Sequence, residues 1–132
     1  MNHTLSREVA MKRLYAETVG GVDTIEETLE QSGRSMLSDE DAAFSDRLYE
    51  GVRLHLEEID KEIGLYAKDW SIGRIAKVDL SILRVAVYEI LFEAAIPVGA
   101  TVNEAVELGK EFGGEKSAGF INGVLGAIAK AH

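Results

Sequence analysis

The fold turns on one stretch, Asp79-Leu80-Ser81-Ile82-Leu83-Arg84-Val85-Ala86-Val87-Tyr88-Glu89-Ile90-Leu91-Phe92, which runs on to Ala94. Its apolar residues fall on almost every side of a helical wheel. A helix that is apolar all round is one buried by its neighbours. A strand over 82–87 competes for the same residues. The length of the run and the absence of turn residues favour the helix. Arg84 interrupts the apolar surface, and a buried arginine needs a partner. With Tyr88 one turn on and Glu89 beside it, Arg84 is expected to tie this helix to a neighbour. Asp79 is expected to cap its start through the free amide hydrogens there. Pro97 ends the region, because the residue before a proline is pushed out of helical geometry.

Outward from this centre, nearly every segment has a helical period. A first helix is expected from about Leu5 to Val19, stopped by Gly20-Gly21. A second starts at Asp23, with Glu26 placed for a capping box and Val22, Ile25 and Leu29 as its apolar stripe. Ser32-Gly33-Arg34-Ser35 reads as a loop. A long helix then follows Ser38 or Asp39, with Phe44, Leu48, Val52, Leu56, Ile59, Ile63 and Tyr66 recurring every three or four residues. Asp39-Glu40-Asp41 lies in its first turn, where carboxylates favour the helix dipole. Residues 67–78 form a connector with a short helical turn near Trp70. A sixth helix runs from about Gly99 to Phe112, closed by Gly113-Gly114. The last runs from Lys116 or Ser117 to Lys130. Its glycines, Gly119, Gly123 and Gly126, each weaken a helix by roughly 1 kcal/mol against alanine, tolerable if another helix packs closely there. Asn103 and Asn122 are poor helix formers and are expected to bond across helices or to cap one. The reading is an all-α chain: about seven helices in two small sequential bundles, forming one compact domain over residues 1–132.

Composition narrows the function. The 132 residues are 46% hydrophobic, enough for one core. The chain has no cysteine, which excludes a disulfide scaffold, a thiol nucleophile and a cysteine zinc site. No apolar run approaches the length of a membrane span. Met1-Asn2-His3-Thr4-Leu5-Ser6-Arg7 has no apolar signal region, so a cytoplasmic protein is expected. The net charge of -9 argues against indiscriminate nucleic-acid binding. Residues 1–16 nevertheless hold three bases and one acid, a sum of +2, whereas residues 17–69 sum to -10. The first helix is therefore weakly basic, and any phosphate contact should be local and helped by a partner.

Catalytic groups are hard to find. The three histidines are His3, His55 and His132, and none sits in a metal-binding spacing. His55 with Glu57-Glu58 reads as a solvated helix face. There is no phosphate-cradling glycine loop after a strand and no nucleophile elbow. No enzyme activity, cofactor or metal is expected.

The order of these features resembles the NusB family of bacterial transcription antitermination factors. Val78-Asp79, Ile82-Leu83-Arg84, Tyr88-Glu89 and Ile96-Pro97 follow its pattern. So do Asn103-Glu104-Ala105-Val106-Glu107-Leu108, Lys110, Phe112-Gly113 and Phe120-Ile121-Asn122-Gly123-Val124-Leu125. In the first half, Arg7-Glu8, Ala10-Met11 and Leu14-Tyr15 look like the family's opening helix. The resemblance implies two small helical bundles. It also implies binding to the boxA element of ribosomal RNA leader transcripts, together with the ribosomal protein NusE, so that RNA polymerase reads through terminators. The family's arginine-rich motif falls here on His3, Thr4, Leu5, Ser6 and Arg7, of which only Arg7 is an arginine.

The residues expected to meet RNA are therefore His3, Arg7, Lys12, Arg13 and Tyr15. Arg7 would supply both charge and a stacking plane, and Tyr15 a second plane. With so few charges, RNA binding alone should be weak and salt-sensitive, and tighter with NusE. Phe120 is the residue expected to anchor NusE, with Asp79 and Lys116 beside it. Two other readings compete: a protein–protein adaptor with little RNA binding, and the RNA-binding domain of an RNA cytosine methyltransferase. A homodimer covering the basic helix is a further state the sequence allows.

Overall fold

A computed structural model describes residues 3–20, 32–68 and 71–132. Among them are six α-helices, α1 (His3–Val19), α2 (Asp39–Leu54), α3 (Leu56–Tyr66), α4 (Lys77–Phe92), α5 (Val98–Phe112) and α6 (Ser117–Ala131). Two short 3-10 turns, Arg34–Met36 and Ile72–Arg74, link them. No strand occurs among the described residues, so 82–87 is helix, as its length requires. The helix expected from Asp23, with Val22, Ile25, Glu26 and Leu29, lies outside the described residues, as does Trp70.

The central helix is α4. It packs against all five others and carries the largest share of the core, with Leu80, Ile82, Leu83, Val85, Ala86 and Val87 almost wholly buried. Around it, α1 pairs with α2 on one side and α5 pairs with α6 on the other. These are the two sequential halves, fused over a single apolar cluster that runs from Ala10 to Ile128. No helix among the described residues is long and apolar enough to cross a membrane.

Local signals set most boundaries. Gly20 adopts φ 65°, a left-handed conformation that glycine reaches without strain, and ends α1. Ser38 caps α2 by accepting the Asp41 N–H at 3.2 Å. Two expectations are corrected. The long helix over 39–66 is two helices, broken at His55, whose φ of -111° and ψ of 23° leave helical geometry. A one-residue break leaves the apolar spacing nearly intact, so periodicity cannot register it. The His55 ring instead stacks on Phe92 of α4, with centroids 4.1 Å apart. Likewise, α4 begins at Lys77, after Ala76, so Asp79 is its third residue and not its cap. The preceding 3-10 turn brings the chain into helical geometry two residues early.

The glycines of α6 also differ from expectation. A Cβ at Gly119, Gly123 or Gly126 would meet open space, so no helix of the described chain packs tightly there. Close approach occurs at Gly51, where a Cβ would run into the Tyr88 ring. It occurs again at Gly109, where a Cβ would fall 2.8 Å from Ile121. Asn103 and Asn122 are exposed, and their side chains make no hydrogen bond among the described residues.

Candidate partner and nucleic-acid interfaces

On α1 the three cations are all engaged within the fold. Arg7 is 5% exposed. Its Nε and second guanidinium nitrogen donate to the two carboxylate oxygens of Glu89, each at 2.8 Å. Thr101 of α5 donates to the same carboxylate at 3.0 Å. This buried network joins both halves through α4. Arg7 is therefore not on the wet face expected for it, since stacking a base on it would strip Glu89 of its counter-charge. Arg13 is buried as well. It donates to Asp46 at 2.9 Å and lies 3.7 Å from the centre of the Tyr49 ring. Burial, then a hydrogen bond to Glu17, pushes the Tyr49 hydroxyl up to about 12.

The other α1 candidates are half-buried. Lys12 pairs with Glu8 at 2.9 Å and hangs 4.9 Å above the Phe112 ring of α5. The Tyr15 side chain makes no hydrogen bond among the described residues. His3 packs against Phe44, centroids 4.2 Å apart. Phe44 also carries Arg47, an exposed residue of α2 that donates two bonds to Glu93 at 2.9 Å. Arg47 holds the Glu93 carboxyl below the usual carboxylate range. Of the α1 cations, Arg7 reaches an acid of α4 and Arg13 an acid of α2, whereas Lys12 pairs within its own helix.

Arg84 does tie the central helix to a neighbour. Its partner is Asp60 of α3, through two bonds of 2.9 and 2.8 Å, and not Tyr88 or Glu89. Tyr88 donates to Glu93, and Glu89 belongs to Arg7.

The three residues expected to meet a protein partner converge on one feature. Phe120, Asp79 and Lys116 all line an open cavity of about 530 Å³, together with Arg74, Ile75, Ala76, Gly114 and Ser117. The lining comes from the chain around the start of α4 and around the start of α6. Phe120 is half-buried, packed against the core, and lines the cavity. Asp79 is 7% exposed, and one of its carboxylate oxygens has no partner among the described residues. A buried acceptor of this kind is one that a donor from a partner could satisfy. Phe120 also borders a second hollow, of about 320 Å³, floored by Gly119 and Gly123 and edged by Tyr66 and Lys68. Sequence reading missed Arg74, Ile75 and Ala76 because they lie in an irregular connector without periodicity. An arginine in a turn just before a buried helix was the available signal.

Comparison with known proteins decides the family. The sequence model of the NusB family matches residues 4–130. This chain belongs to the NusB family. The transcription antitermination protein NusB of Clostridium botulinum (strain Loch Maree / Type A3) is 45% identical, with 97% of this chain and 99% of that protein covered. The solved NusB of T. maritima superposes with a TM-score of 0.89 at 33% identity, covering 100% of this chain and 93% of that one. A NusB solved with NusE and double-stranded RNA superposes with a TM-score of 0.84 at 28% identity, covering 98% of this chain and 96% of that one. The all-helical fold and the order of helices are those of the family.

Proposed function

We propose that this chain is a cytoplasmic transcription antitermination factor without catalytic activity. It binds boxA RNA of ribosomal leader transcripts as a heterodimer with NusE and helps RNA polymerase read through terminators. Family membership over nearly the whole chain supports this reading, as does the solved relative that holds NusE and RNA. The observation that carries the partner half is the cavity gathering Phe120, Asp79 and Lys116. An aromatic side chain lining an open cavity, beside a buried acceptor, has the chemistry of an interface anchor that a partner would desolvate. Phe120 is the anchor and Asp79 receives a donor from NusE, with Lys116 at the rim.

On the RNA side, Lys12, Tyr15 and His3 are the accessible members of the α1 set. Arg7 and Arg13 support that helix from beneath. Few free charges on α1 mean weak binding by the chain alone and a need for NusE. Titrating labelled boxA RNA with the chain alone, NusE alone and the pair tests this. The expected outcome is tight binding only for the pair, weakening as salt rises. Phe120→Ala should lower NusE affinity at least tenfold with helicity unchanged, the range of an interface anchor. NusE capture without any RNA binding would favour the adaptor reading.

A further inference from the structure

The far end of α4 from the cavity carries two exposed apolar side chains. Leu54, the last residue of α2, is 79% exposed, and Phe92, the last residue of α4, is 39% exposed. Single exposed leucines are common on protein surfaces, but these two share one side of the fold. Arg47, Gly51 and Leu54 recur four and three residues apart, on one face of α2. Arg47 bonds Glu93, just past the end of α4, and Gly51 lies against the Tyr88 ring, so that face looks onto the end of α4. The rings there form a stack. Tyr88 and Phe92 have centroids 5.5 Å apart, and Phe92 meets the ring of His55, the residue after Leu54, at 4.1 Å. Leu54, His55 and Phe92 thus make an apolar patch of the kind that a partner covers.

The charges around the patch select the partner. Its cations, Arg47 and Arg53, are both paired, the first with Glu93 and the second with Glu17 and Glu50. Glu57 and Glu58 stand exposed in the first turn of α3. Glu57 has no ion pair among the described residues, and Glu58 faces only the His55 imidazole, at 3.9 Å. Such a rim repels RNA phosphates. It also disfavours a second copy of this chain, since a two-fold contact would set the same acids against each other. We propose that the α2–α3 corner and the end of α4 form a docking surface for a basic, amphipathic segment of a third protein. The segment sets an aliphatic side chain on Leu54 and the Phe92–His55 stack, and its cations on Glu57 and Glu58. The cavity and this patch lie at opposite ends of α4, a helix of 16 residues and so about 24 Å long. Both surfaces are therefore open to occupation at once, and the chain becomes a bridge.

The test uses the full chain in its complex with NusE. The probe is a labelled peptide of leucines and lysines in helical spacing, and the control is its twin with glutamate for lysine. Fluorescence anisotropy should show binding of the lysine peptide alone, weakening as salt rises. Leu54→Ser and Phe92→Ser should each lower that affinity at least tenfold, while NusE and boxA RNA bind as before. Glu57→Gln/Glu58→Gln should lower it at low salt and flatten its salt dependence. Phe92→Ser also removes a ring from the stack, so Leu54→Ser, at the more exposed position, is the decisive variant. Failure of the lysine peptide to bind, or equal binding of the glutamate peptide, overturns the proposal. Unchanged lysine-peptide affinity in Leu54→Ser overturns it too. So does a loss of NusE or RNA affinity in that variant, which would assign the patch to those partners. A dimer of the chain, seen by sedimentation and dissolved by Leu54→Ser, would assign it to a second copy and overturn the proposal as well.

Discussion

Arg7 shows how one residue can carry the right chemistry in the wrong place. The sequence presents it as a lone cation at the start of a basic helix. The structure turns it inward to a glutamate 82 positions away. Paired and hydrogen-bonded charges inside a protein are tolerated, but removing one partner leaves a bare buried charge. Arg7→Ala should therefore destabilise the chain by about 3–5 kcal/mol, read by thermal or urea unfolding. A joint replacement, Arg7→Met with Glu89→Leu, should lose much less. If Arg7→Ala instead kept full stability and weakened RNA binding alone, Arg7 would be a contact and not a strut. No periodic signal could foresee the pairing, because a helical wheel shows which side of a helix a residue occupies and not what arrives there from another helix.

At the scale of elements, glycine separates two situations that look alike in sequence. Gly51 lets the Tyr88 ring lie against the α2 backbone. Gly126 sits in a helix with open space beside it. Gly51→Ala should destabilise by about 1–3 kcal/mol, since ring and helix must separate. Gly126→Ala should stabilise by up to about 1 kcal/mol, from helix propensity alone. Denaturant melts of the two variants should move in opposite directions, and a shared direction would refute this account of the packing. The boundaries of α1, α2, α5 and α6 were legible from Gly20, Ser38, Pro97 and Gly113. The break at His55 was not, because a one-residue break keeps the apolar spacing, and the ring that meets His55, Phe92, comes from another helix. The true start of α4 was missed for a similar reason, since the turn before it has no periodic pattern.

Over the whole molecule, stability depends on carboxylates held by arginines. Glu93 is kept below its ordinary 4.5 by the hydrogen bond from Arg47, and Asp46 below its ordinary 3.8 by that from Arg34. A depressed folded value stabilises the protein above the unfolded one, and the gain is lost as pH falls through the folded value. Acid should therefore begin to weaken the fold below about pH 4.5, continuing through the lower folded values. Glu93→Gln should make the unfolding free energy less dependent on pH between 5 and 3, as measured by urea melts at each pH. An identical pH profile in that variant would remove Glu93 from the explanation.

What the residues determined unaided was the class of the molecule. Apolar spacing, turn residues and the all-apolar 79–94 run specify helices around a buried one, because burial leaves its period in the chain. Phe120 and Asp79 were singled out as partner candidates through the motif blocks that hold them, and Lys116 as their neighbour. Tertiary structure alone decided that these three line one cavity with Arg74, and that α1 spends its cations on α2, α4 and its own Glu8. Charge pairing and cavity shape depend on which helices meet and at what height. A linear pattern sets each helix's buried side, but only the packed fold sets what lies across from it.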